Sequence, residues 1–329
     1  MAGEAAQTLR PTRDSSAIVA ATGINNGLVH SPVTPFDASG EIDFDLYGKV
    51  LDFHAAHQPG AVAIPMDAGE RFSLRDEERK TLVEYAVDRI GKTTPVIADV
   101  THVGSGIAAS FAAHAQKVGA KGVLLTTPYF QRPPANMMLE HFRQIAAATD
   151  LAVLLHSSPR THKGEVRITQ DMVATLMEDC PNIAGYIDGE MYWVTFTWLR
   201  RYTLQEDPNF LMFPDAEYLT TSMPIGGNGS ISPVSAIAPK LTGELYRACR
   251  EKDYFGAREN QYRVSQLSQL MRNGASLPAN IKAAMAVLGR PVGRPRQPNL
   301  PLPQAAVNDL RAELTSMNII GHEPEGWDL

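Results

Sequence analysis

Cysteine is almost absent from this chain. Cys180 and Cys249 are the only two in 329 residues, too few for a disulfide framework and too far apart for a CxxC site. Two ordinary thiols fit a reducing compartment, so a cytoplasmic location is expected. Long apolar runs are missing as well. No stretch approaches the roughly 20 residues of a membrane-spanning helix, and no membrane association is expected. The first 24 residues, MAGEAAQTLRPTRDSSAIVAATGI, place only the patch SAIVAA behind Arg10 and Arg13, which is too short and too broken for a secretory core. They read as an extension that is loose, or lies on the surface or on a neighbouring subunit. Excess positive charge is also lacking: 30 Lys and Arg face 36 Asp and Glu, a net charge of −6. No basic stripe is interleaved with aromatics, so nucleic acid is not an expected partner.

What is present is a large apolar content, 44% against 20% charged residues, enough for a sizeable core. From Gly27 onward, short apolar runs alternate with longer amphipathic segments. The runs are residues 27–36, 60–66, 94–100, 122–130, 151–158, 182–187, 209–214 and 227–234. Most are continuously apolar, as strands covered on both faces are. Between them, 43–58 and 74–90 carry apolar residues at helical spacing. Ser73 is placed to open the second of these, and Thr169 to open a helix over 170–179. Strand and helix alternating in this way predicts a closed parallel (β/α)8 barrel. A doubly wound open sheet is the competitor, but no GxGxxG opens its first helix. The expected organisation is an N-terminal extension over 1–24, a barrel over 25–240 and a helical C-terminal appendage over 241–329. The segment GRPVGRPRQPNLPLP (289–303) reads as a rigid connector inside that appendage.

Several stretches carry a family resemblance. They are VTPF (33–36), AGERFSLRDEER (68–79), TTPYF (126–130), SPRT (158–161), NIAGYID (182–188) and GGNGSISP (226–233). In this order and spacing the chain resembles the dihydrodipicolinate synthase / N-acetylneuraminate lyase family, aldolases and lyases built on a TIM barrel with a helical appendage. The resemblance covers residues 27 to about 315. It implies a lysine on the sixth strand that attacks a 2-oxo acid, a fifth-strand tyrosine that relays protons, and paired hydroxyls on the second strand that hold the carboxylate. It also implies a homo-oligomer, a dimer or tetramer.

Matched position by position, that machinery is missing. The lysine position falls on Ile187, the second-strand hydroxyl pair on Asp67-Ala68, and the second tyrosine of the fourth-strand pair on Phe130. The fifth-strand tyrosine falls on Leu155 or His156. Imine formation needs an amine. Lys163 and Lys121 are the nearest substitutes, and neither is expected at the inner end of a strand.

A barrel keeps its site at the C-terminal ends of its strands, which here offer Thr34, Asp67 with Glu70, Thr101-His102, Tyr129, His156, Asp188 with Glu190, Asp215 with Glu217, and Ser230-Ser232. Asp67 reads either as a general base, its pKa raised by partial burial, or as a cap on the following turn. His156 reads as a proton relay near neutrality or as a satisfied core histidine. Arg160 matches a family arginine that meets a carboxylate at the entrance. Thr34, Tyr129, Gly229, Ile231 and Ser232 complete the expected substrate-binding set. Strand alternation turns Asp188 away from the axis. Asp67, His156 and Asp215 are candidate metal ligands in kind, but no HxH, HExxH or DxD spacing supports them, and no cofactor or metal is expected. The expected activity is that of a lyase acting on a small carboxylated carbonyl compound by acid/base chemistry, without a lysine Schiff base. A binding barrel without turnover and a metal-assisted hydrolase or lyase are the alternatives.

Overall fold

A computed structural model describes residues 12–24, 27–129, 132–158, 166–189, 192–274 and 276–327. Its eight strands are β1 (Leu28–His30), β2 (Ala61–Ile64), β3 (Val96–Asp99), β4 (Gly122–Leu125), β5 (Ala152–Ser157), β6 (Ile183–Asp188), β7 (Leu211–Pro214) and β8 (Ser230–Ser232). Each apolar run of the sequence holds one of them, to within a residue. All are parallel, in the order β7-β6-β5-β4-β3-β2-β1-β8. The seam between β7 and β8 is stitched by Asn228. Its side-chain oxygen accepts from Met212 N at 2.8 Å, and its own N–H donates to Met212 O at 2.8 Å. The result is the (β/α)8 barrel that the alternation predicts.

Alternation along each strand divides two apolar populations. Val29, Ala61, Ala63, Ile97, Leu124, Leu154, Ile187, Leu211, Phe213 and Ile231 meet inside the barrel. Val62, Ile64, Val96, Ala98, Val123, Leu125, Leu155, Tyr186 and Met212 face outward onto the helices. With both faces buried, every strand needs apolar residues at consecutive positions, which is why the sequence shows runs and not alternation.

The helices of the wall are α2 (Phe44–Ala56), α3 (Asp76–Ile90), α4 (Ser105–Val118), α5 (Ala135–Ala146), α6 (Gln170–Asp179), α7 (Trp193–Glu206), the short α8 (Leu219–Ser222) and α9 (Pro239–Arg250). Thr169 caps α6 as expected, its side chain accepting from Met172 N. Ser73 does not cap α3. It closes a 3-10 turn, Arg71–Ser73, and its carbonyl accepts from Arg296 at 3.1 Å, so the helix starts at Asp76. Because α9 packs on β1 as the eighth wall helix, the expected barrel boundary at 240 falls inside it.

The appendage is α10 (Tyr254–Arg272), α11 (Leu277–Val287) and α12 (Gln304–Ser316), packed with α9 around a second core. Its connector is tied to the barrel. Arg296 donates to Glu78 at 2.6 and 2.7 Å, to Gly40 O at 2.9 Å, and through its backbone N to Glu70 at 2.8 Å.

Residues 12–24 are not a loose extension. Helix α1 (Ser16–Ala21) lies under the floor of the barrel, with Val19 and Ile24 packed against the interior cluster. Arg13 fastens it, donating to the carbonyls of Met177, Pro181 and Ile183. Residues 1–11 lie outside the described residues, so the expectation for them has no structural counterpart.

Candidate active site

At the opposite end, where the strands finish, Asp67, His156, Ser158, Gly189, Asp215, Ile231, Ser232 and Arg272 line one cavity with a volume of about 30 Å³. Its floor is the apolar interior, whose last side chain on β6 is Ile187, 1% exposed. Cα pairing sets His156 beside Ile187 across the β5–β6 ladder. Leu155 faces the outer wall and His156, one residue on, has the inward parity of Leu154. Of the two positions on which the fifth-strand tyrosine could fall, His156 therefore faces the site. Gly189 lies so close that a Cβ there would come within 2.8 Å of His156 Nε2 and 3.0 Å of Ser158 Oγ.

Asp67 is held from behind by Arg71, whose side chain is fully buried. One guanidinium nitrogen lies 3.0 Å from Asp67 Oδ1; the other bonds the buried carboxylate of Asp99 and reaches Thr101 Oγ1 at 3.3 Å. Arg79 closes this array, donating to the carbonyls of Thr101 at 2.7 Å and Asp99 at 2.8 Å. A guanidinium in contact favours the charged form of a carboxylate. The sequence left Asp67 as a partly buried base or a cap on the turn; the structure pairs it with a buried guanidinium. Arg71 belongs to a polar surface stretch by composition, and nothing local marks it as buried.

Asp215, at the end of β7, also lines the cavity, and it too has an arginine. Arg272, the last residue of α10, bonds Asp215 Oδ2 and Glu217 Oε1, and also Ser268 Oγ. Burial works against the charge of Arg272, yet the two carboxylates outweigh it and its proton is held more tightly than usual. The Glu217 carboxyl is pushed above its ordinary range by burial first, then by Asp215 beside it. Arg272 and Leu277 come from the appendage and were not expected at the site, because no local pattern distinguishes Arg272 from any other arginine at a helix end.

Other expected site residues lie elsewhere. Thr34 is buried, and its hydroxyl donates to Gly69 O at 2.8 Å, clamping the turn after β2 and not lining the cavity. Glu70 turns away to the appendage, 2.7 Å from Lys282 Nζ. Gly229 serves a close approach of backbones, since a Cβ there would lie 1.9 Å from Gly27 O. The half-buried Tyr129 packs edge-on against Phe72, centroids 4.6 Å apart, outside the lining; burial raises its phenol. Ser232 Oγ accepts from Val234 N at 3.2 Å while lining the cavity beside Ile231. Asp188 is buried with the outward parity of Tyr186, as alternation predicts. Arg160, Phe130, Glu190 and Lys163 lie outside the described residues.

Among the described residues no group of three or more His, Cys, Asp and Glu side chains converges as metal ligands, and no helix is long and apolar enough to cross a membrane. Asp67 and Asp215 each face an arginine, which opposes a second cation at the same carboxylate.

A parallel barrel with its charged cavity at the carboxyl end of the strands defines a (β/α)8 barrel protein. More narrowly, the chain belongs to the dihydrodipicolinate synthetase family, whose model matches residues 25–317. It is 28% identical over 299 residues to 4-hydroxy-tetrahydrodipicolinate synthase of Gluconacetobacter diazotrophicus, covering 91% of this chain and 99% of that one. The synthase of Methanothrix thermoacetophila is 30% identical over 295 residues, 89% of this chain and 97% of that one. Among solved structures, dihydrodipicolinate synthase from Aquifex aeolicus superposes with a TM-score of 0.82 at 27% identity, covering 89% of this chain and 98% of that one.

Proposed function

We propose that the protein is a lyase-like enzyme that acts on a small carboxylated carbonyl compound by acid/base chemistry, without a lysine Schiff base. The observation that carries this reading is Ile187, a buried isoleucine on the inner face of β6 beneath the cavity, where the family resemblance puts the amine. Among the described residues no lysine lines the cavity, and a hydrocarbon side chain cannot form an imine. Asp67, positioned by Arg71 at 3.0 Å, accepts a proton, and His156 relays it. A base and a relay of this kind contribute roughly 10²–10⁴-fold each when correctly placed. The oxygen that gains charge is held by the end of β8 near Ser232, and Arg160 meets the ligand at the entrance. Hydration, dehydration, decarboxylation and retro-aldol cleavage all fit such a site.

Asp67 and His156 line one cavity and do not point into separate packing, which favours catalysis over a barrel that only binds. The test is borohydride reduction of the full-length protein with pyruvate, followed by intact mass. An unchanged mass is the expected outcome. A reduced adduct on any lysine, Lys163 included, overturns the mechanism.

A further inference from the structure

The turn after β2 presents Asp67 to the cavity, and a carboxylate repels another carboxylate. A ligand with its own carboxylate must therefore meet a cation with hydrogen-bond donors to spare. Arg272 is the only arginine or lysine among the described residues lining the cavity. Its guanidinium has five N–H donors. One hydrogen on each of Nη1 and Nη2 is taken by Glu217 and Asp215, and Ser268 takes the other on Nη1. The Nε hydrogen and one on Nη2 have no partner among the described residues, and such a pair suits a carboxylate held by two bonds. The arginine is well anchored. Asn280 on α11 donates to the carbonyls of Met271 at 2.8 Å and Asn273 at 2.6 Å, pinning the end of α10.

We propose that Arg272 is the receptor for the carboxylate of the substrate, and that Glu217 takes up a proton when that carboxylate arrives. This rests on the reading of the ligand as a small carboxylate. It leaves the carbonyl oxygen to the end of β8. The appendage thereby supplies a residue that determines specificity in the barrel.

Proton uptake follows from charge. Asp215 and Glu217 already share one guanidinium, so a third carboxylate is tolerated only when one of the three is neutral. Glu217, whose carboxyl burial and Asp215 already push up, is the one that protonates. Asp215 from the end of β7 and Arg272 from α10 are the charged groups facing it. The other segments packed on its turn, α8 and β8, carry no charged side chain. The bound carboxylate raises the Glu217 pKa above its value in the free protein. Binding therefore takes up protons and tightens as pH falls through that range.

Calorimetric titration of the full chain with pyruvate, in buffers of different ionisation enthalpy, tests this; methyl pyruvate serves as the uncharged control. Arg272→Gln is expected to weaken pyruvate by on the order of 30-fold or more and methyl pyruvate far less. Glu217→Gln is expected to abolish proton uptake and to make pyruvate binding insensitive to pH. Should Arg272→Gln fail to fold, Arg272→Lys keeps the charge but loses the fork, and a partial loss confined to pyruvate is then expected. Unchanged pyruvate affinity in the arginine variants overturns the receptor, and proton uptake that persists in Glu217→Gln overturns the role of Glu217. A wild-type protein that binds none of pyruvate, oxaloacetate and 2-oxoglutarate overturns the carboxylate reading itself, and this inference with it. A borohydride adduct would remove the Schiff-base-free mechanism and leave Arg272 standing.

Discussion

The two ends of the barrel use arginine differently. At the floor, Arg13 spends its guanidinium on backbone, donating to Met177 O at 3.0 Å, Pro181 O at 2.7 Å and Ile183 O, with Asp207 3.5 Å from Nε. Carbonyls cannot change charge, and with Asp207 buried away from any cavity the contacts hold α1 against the strands. At the mouth, Arg71 and Arg272 face titratable carboxylates that line a cavity. Among the described residues Asp215 Oδ1 is left without a hydrogen bond. The same side chain closes one end and keeps the other chemically open.

The largest test of this contrast is a mouth residue with a structural load. Arg71 is fully buried and neutralises Asp99, itself 3% exposed. Arg71→Met is expected to cost about 3–5 kcal/mol of stability, because breaking a buried pair leaves an uncompensated charge. Urea unfolding measures it. A loss under about 1 kcal/mol would show that Arg79, 3.7 Å from Asp99, carries the charge alone.

Asp67→Asn and His156→Phe should separate chemistry from stability. Asp67 is only partly exposed at the cavity, and Arg71 keeps Asp99 when Asp67 is neutral. Each variant is expected to lower turnover by roughly 10²–10⁴-fold while shifting the urea midpoint little. Turnover of a 2-oxo acid panel, followed by proton NMR, reads this out. Variants as active as wild type would remove both residues from the mechanism.

How much of this was legible follows from the range of each interaction. The eight strands were, because continuous apolar runs are the direct consequence of burial on two faces. So was the outward turn of Asp188, whereas Leu155 and His156 were told apart only by the ladder that sets His156 beside Ile187. The N-cap at Thr169 is local and was readable; the one at Ser73 failed because Arg296, far along the chain, takes the serine's carbonyl. Glu70 looked like a mouth residue by sequence position, and Lys282 from the appendage turns it away. Arg272 meets Asp215 across 57 positions, and nothing in QLMRNG announces it. Contacts that depend on how the appendage docks are written in no short motif.

At the floor, Arg13→Ala is expected to cost about 1–3 kcal/mol, the range for several charge-assisted hydrogen bonds on a partly exposed guanidinium. Pyruvate binding should not change. A loss of affinity would mean that the floor and the mouth are coupled, and would break the contrast between them.

The smallest expected effect is also the most local. Gly189 does not adopt a left-handed backbone, so alanine is conformationally acceptable there. Its Cβ would nevertheless lie 2.8 Å from His156 Nε2 and 3.0–3.1 Å from the Ser158 side chain. Both groups line the cavity, and an imidazole in a packed wall yields by tilting, not by leaving. Gly189→Ala is therefore expected to leave stability within about 1 kcal/mol and to lower turnover roughly tenfold, since displacement of a proton-transfer group is felt exponentially in the rate. The histidine ring resonances, followed by NMR across pH, report whether His156 has moved. A variant with a shifted His156 signal and full activity would take the relay away from His156. One with an unmoved signal and lowered activity would assign the loss to Ser158, and the mouth would then depend on a hydroxyl outside the expected site set.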